Sequence, residues 1–174
     1  MAKSRQKSLL KIGAIAAVGL VIVGLVVVFA MLQSDGIEDP MQEPLTVTVD
    51  GEDFEVLPYR VCDLFAGEDG CTVVEDNAKH IELGEQETAT LEVSEEVAAN
   101  AWAVQRFFAD DVHNSATKHD PGTTSTETIA GSTSAAGSRS ALGVVEVSTT
   151  VIGENADGDE TTYGITWSVV NDAA

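Results

Sequence analysis

Cations are scarce in this chain: nine Lys and Arg stand against 29 Asp and Glu. Four of the nine, Lys3, Arg5, Lys7 and Lys11, come before residue 12, while every acid lies beyond residue 32, so the part after residue 32 carries a formal charge of −24. Such an excess of acid excludes a nucleic-acid partner and opposes adhesion to anionic lipid surfaces, both of which select basic patches. It suits solubility, or a cationic protein surface as partner. Chemistry-bearing motifs are equally sparse. No serine stands in a G-x-S-x-G elbow, and neither a glycine-rich phosphate loop nor a C-x-x-C-H haem attachment occurs. No enzymatic activity and no cofactor are expected.

Long apolar runs are absent save one, residues 12–32. At 1.5 Å per residue it makes a helix of roughly 31 Å, the thickness of a bilayer core. The cations before it and Asp35, Glu38 and Asp39 after it orient the span with its N-terminus in the cytoplasm. A cleaved leader fits less well, because the run exceeds the usual leader core and Phe29-Ala30-Met31-Leu32 has no A-x-A site. The expected protein is a single-pass cell-membrane protein with a cytoplasmic tail (1–11), a transmembrane helix (12–32), a linker (33–44) and an extracytoplasmic domain (45–174). Gly13, Ala17 and Gly24 share one stripe of the helix, and small residues let helices approach closely. They are the candidate contacts to partner membrane subunits.

The two cysteines, Cys62 and Cys71, fall in the exported part. An oxidising compartment, an even count and a glycine-containing turn between them predict a disulfide, worth about 2.7 kcal/mol in the chain-entropy account of a ten-residue loop.

From residue 45 onward the dominant pattern is short alternation of β-branched and polar residues. Strands are expected at 45–49, 54–61, 81–83, 88–93, 102–108, 144–152 and 161–170. Asp50-Gly51 and Asp157-Gly158 mark hairpin turns. Pro58 interrupts the second strand, and Ser94 caps a single helical turn. In the last strand Tyr163, Ile165, Trp167 and Val169 alternate inward, with Thr162, Thr166 and Ser168 outward. The stretch 110–140, rich in Ser, Thr, Gly and Asp, is expected to be a long loop, because it has little to bury against the cost of ordering it. The fold class is an all-β extracytoplasmic domain, an antiparallel β-sandwich of immunoglobulin-like architecture.

Metal ligation has two candidate sets. His80, His113 and His119 could gather with Asp110, Asp111 and Asp120, but His113 and His119 fall in the expected loop, where nothing holds ligands in place. Asn155, Asp157 and Asp159 alternate as at the start of a calcium loop, yet Glu160 stands where that loop needs glycine. No metal site is assigned. Glu95-Glu96 and Asp110-Asp111 are adjacent acids on turns, better suited to a solvated face than to acid–base work.

The elements Pro58-Tyr59-Arg60-Val61-Cys62-Asp63-Leu64, Cys71, Leu91-Glu92-Val93-Ser94 and Ala101-Trp102 resemble a family of actinobacterial cell-envelope proteins of unknown function. The resemblance covers 45–108 and departs at Ala101, where the family shows proline. It implies an N-terminal membrane anchor and a kinship with accessory subunits of the respiratory cytochrome bcc and oxidase supercomplex, and it transfers no catalytic residues. Two functions follow as expectations: a non-catalytic anchored accessory or assembly subunit, or an envelope module that binds a ligand or metal ion through its loops.

Overall fold

The computed structural model describes Ile37 and residues 39–67, 70–134, 137–155 and 158–174. The expected span 12–32, its stripe Gly13, Ala17 and Gly24, and the first residues of the expected linker lie outside the described residues. Among the described residues no helix is long and apolar enough to cross a membrane.

From Ile37 onward the described residues are mostly antiparallel β-sheet. Leu-Thr-Val-Thr-Val forms β1 (Leu45–Val49), whose alternation buries Leu45, Val47 and Val49 and leaves both threonines half-buried. Asp50 and Gly51 then take φ of 52° and 83°. Two consecutive left-handed residues are what a twisted two-residue hairpin requires, and they return the chain as β2 (Glu52–Val56). The strand expected over 54–61 is in fact divided: it ends at Val56, and β3 (Arg60–Asp63) begins in the other sheet. Pro58 sits at the changeover because it has no N–H to continue a ladder.

There follow β4 (Cys71–Val73), β5 (Lys79–Ile81), β6 (Thr88–Val93) and a single-turn helix (Glu95–Ala98), where the Ser94 hydroxyl accepts the Val97 N–H as the sequence predicts. Next come β7 (Trp102–Phe108), β8 (Ser115–His119), β9 (Thr126–Ala130), β10 (Ser132–Thr133), β11 (Ser140–Glu154) and β12 (Glu160–Asn171). One sheet has the order β2-β1-β6-β9. The larger has the order β4-β3-β12-β11-β7-β8, with β5 parallel to β12 and β10 beside β11.

The inner faces share one core. Leu45, Val47, Leu91 and Ile129 enter it from the smaller sheet and Val104, Val147, Ile165 and Trp167 from the larger, all fully buried. Each such side chain contributes about 1.5–3 kcal/mol relative to exposure. The β11–β12 hairpin, the longest, holds register from Val144 opposite Val170 to Glu154 opposite Glu160.

Two further expectations are corrected. The stretch 110–140 is not a loop: β8, β9 and β10 lie in it. Strands at the border of a sheet need few apolar side chains when backbone hydrogen bonds and one buried anchor hold them, and here Ile129 is that anchor, paired across β6 with Ala89. Gly131 closes the docking, since a Cβ there would stand 2.0 Å from the Gly84 carbonyl oxygen. The described part of the expected linker is likewise built into the domain. Ile37 is buried and bridges to Gly153, Pro40 is buried, and the Glu43 carbonyl accepts the Trp167 indole N–H at 2.8 Å.

Candidate functional site

Thr166 and Ser168, expected to face solvent, are buried. For Thr166 the reason is the shape of the larger sheet's outer face, whose trough it lines. One row of side chains crosses five strands: Arg60 on β3, Thr166 on β12, Ser148 on β11, Ala103 on β7 and Lys118 on β8. The next row holds Cys62, Gly164 and Thr150, and Cys62 is joined to Cys71 in the disulfide the sequence predicts. Long side chains stand at both ends of the first row and small ones between them. The face is therefore concave, a trough of about 460 Å³ that is open outward. Leu64 borders it, close against Gly164.

The charges in this trough are unusual for the domain. Five Lys and Arg lie beyond residue 32. Arg106 pairs with Glu127, Arg139 pairs with Glu85 at 3.2 Å, and the Lys79 ammonium sits 4.7 Å from the centre of the Phe54 ring. Arg60 and Lys118 form no ion pair among the described residues, and both line the trough. The Ser148, Thr150 and Thr166 hydroxyls between them have no hydrogen-bond partner among the described residues. Glu146 lies one row further along the same face, opposite Ser168. An occupant of the trough with anionic groups on both flanks would meet one cation at each wall. Such a contact is worth about 1 kcal/mol at 4 Å in bulk water and more as water is excluded.

A second polar group lies between the sheets. The His119 ring stacks on Trp102 with centroids 4.1 Å apart. His119 Nε2 is 3.1 Å from Glu127 Oε2 but out of line for a hydrogen bond, while Glu127 Oε1 takes the Arg106 guanidinium and Arg106 Nη1 donates to Thr117 Oγ1 at 2.9 Å. These side chains are mostly buried. They connect β7 and β8 of one sheet to β9 of the other, so Glu127 works as a clamp between sheets. His119 is thus held firmly, contrary to its expected place in a solvated loop.

The remaining candidates are dispersed. His113 is buried, with Nε2 3.0 Å from the Ser138 hydroxyl, and His80 Nδ1 lies 2.9 Å from Asp172. Asp110 accepts the Val112 N–H as the cap of a short 3-10 turn. Among the described residues no three His, Cys, Asp or Glu gather as metal ligands. Asn155 and Asp159 close a turn, Asp159 N–H donating to Asn155 Oδ1 at 2.9 Å, and Asp157 lies outside the described residues.

Beside the trough, Asp63 follows Cys62 on β3 and points to the opposite face. Its Oδ1 accepts the Phe65 N–H at 2.9 Å and the Thr161 hydroxyl at 2.8 Å. These bonds, the backbone one foremost, hold its carboxyl below the ordinary 3.8. Tyr163, opposite Asp63 in the ladder, is pushed up by burial and then by the charges of Asp63 and Asp39. A carboxyl depressed in the folded state stabilises above its unfolded pKa and loses that contribution as pH falls through the folded value. The melting temperatures of the wild type and an Asp63→Ala variant should therefore differ by a constant amount above about pH 3.8 and converge below it. Thermal melts from neutral pH down to about pH 2 check this, and a gap that persists unchanged at the acid end would refute it.

Neither Arg60 nor Lys118 was legible in the sequence as a site residue. The signal was the scarcity of cations after residue 32, which makes each unpaired one worth locating. A family profile described as "Protein of unknown function (DUF2771)" matches residues 38–172. No curated protein and no solved structure matches the chain.

Proposed function

The chain belongs to the DUF2771 family of proteins of unknown function, and on that premise we propose that it is a non-catalytic accessory or assembly subunit of a larger membrane complex. In this reading residues 12–32 anchor it as a single-pass protein, Gly13, Ala17 and Gly24 pack against a neighbouring helix, and the β-domain acts outside the cytoplasm. The observation that carries the reading is the pairing of Arg60 and Lys118 in one trough. Cations left without partners in an acid-rich domain, on a concave face floored by small residues, are suited to recognition. Both cysteines are engaged in the disulfide, which leaves no thiol for nucleophilic work.

The test is purification of the full chain from its native membranes in mild detergent, followed by mass spectrometry. Membrane subunits should co-purify in fixed ratio, and the respiratory cytochrome bcc and oxidase subunits, suggested by the sequence resemblance, are the first to seek. A chain that is strictly monomeric under these conditions would remove the proposal.

A further inference from the structure

Three features of the outer face constrain what could lie on it. The first is width. Arg60 and Lys118 are on strands four spacings apart, about 19 Å at the usual 4.8 Å per spacing, with β12, β11 and β7 between. An α-helix with its side chains is about 10–12 Å across, so it fits lengthwise between the two walls. The second is the floor. Ala103, Ser148, Gly164 and Thr166 carry little bulk, which lets a packed backbone come close. The third is the rim. Leu64, Val73 and Ile152 are 53%, 48% and 55% exposed on this face and offer apolar contact beside the cations.

The alternatives fit less well. A drug-sized molecule is held by burying about 70–90% of its surface, and a trough open outward does not enclose one. Polyanions such as nucleic acid, or an anionic bilayer, spread charge far beyond the trough over a part of the chain with a formal charge of −24 and are repelled there, whereas a short helix presents its acids only at the two cationic walls.

We infer that the trough receives an acidic amphipathic helix of a partner protein, whose apolar stripe lies on Leu64, Ala103 and Gly164 while glutamates or aspartates on its two flanks meet Arg60 and Lys118. This deepens the accessory-subunit reading and rests on it, in that the helix belongs to the complex the chain serves.

The probe is a synthetic helical peptide of Ala and Leu with Glu on both flanks of the apolar stripe, about 18 residues long so that it holds a helix alone. Its binding to the full chain in detergent micelles is read by fluorescence anisotropy. Binding should weaken about tenfold in an Arg60→Glu/Lys118→Glu double variant and fall as salt is raised. A Lys79→Glu variant, which reverses a cation placed elsewhere, and a peptide with Gln for Glu separate site charge from net charge. The first should bind as the wild type does, and the second should bind weakly to every variant.

Equal binding by the wild type and the double variant overturns the inference. So does failure of the peptide together with binding of laurate that the double variant abolishes, which would make the trough a lipid-anion site, and so does failure of both probes. Co-purification separates the two levels of the proposal. Membrane subunits retained by the double variant would leave the accessory reading standing and remove the trough from it. Loss of subunits from the wild type as well would remove the accessory reading, even if the peptide binds.

Discussion

Replacing Trp167 by alanine is expected to lower stability by about 3–5 kcal/mol, the usual cost of removing a large aromatic from a core that cannot collapse around the void. Trp167 is fully buried on β12, an interior strand of the larger sheet, and β11 and β3 flank it on either side. It also ties the N-terminal segment to the core, because its indole N–H donates to the Glu43 carbonyl at 2.8 Å. Truncation therefore opens a cavity and orphans a backbone acceptor at once. A Trp167→Phe variant separates these effects: it keeps most of the volume, loses the hydrogen bond, and should cost about 1–2 kcal/mol. Denaturant unfolding of both variants checks the ordering. Equal costs for the two substitutions would mean that the indole N–H, and not its volume, dominates.

Asn171→Ala should be nearly as damaging. The Asn171 side chain sits at the end of β12 and is buried. Its amide donates to the Leu83 carbonyl at 3.0 Å and to the Leu142 carbonyl at 2.8 Å, and its oxygen accepts the Leu83 N–H at 2.9 Å. One side chain thus satisfies three buried backbone groups from two distant segments that have no ladder between them. Each such group left unpaired costs about 1–3 kcal/mol, so a loss of about 3 kcal/mol or more is expected. Asn171→Asp keeps the acceptor and removes both donations, and it should rescue little. Amide exchange gives a local readout, since the Leu83 N–H should lose its protection in the alanine variant and keep it in the aspartate variant. Protection that survives in Asn171→Ala would show that another acceptor replaces the side chain.

The elements that were legible in the sequence are those whose signal is local. Leu45-Thr-Val-Thr-Val49 with Asp50-Gly51 reads as a hairpin because alternation and left-handed turn residues are properties of adjacent positions. Ser94 as a helix cap, the long closing hairpin and the Cys62–Cys71 bridge across neighbouring strands are legible for the same reason. Order does not require local apolar content. The stretch 110–140 has little of it, yet β8 and β9 are ordered because β7 and β6 present open ladders, and because Trp102 and Arg106 hold His119 and Glu127 in place. In the sequence pattern Pro58 marks an edge or a bend within one strand, whereas in the structure it separates two strands of different sheets. Nothing within a few residues of Pro58 says which sheet the chain enters next.

Composition and periodicity by themselves determined that the chain carries one apolar run of bilayer length, an acid-rich remainder, a disulfide and a β-sheet domain with its longest hairpin at the end. Only the tertiary structure decided where the free cations stand. Arg60 and Lys118 are 58 positions apart in the chain, and strand order alone brings them into one row across Thr166, Ser148 and Ala103. Periodicity assigns a residue to a face of its own strand. Pairing between distant strands decides which residues share that face, and such pairing is set by the global burial of the core, to which no short stretch of sequence has access.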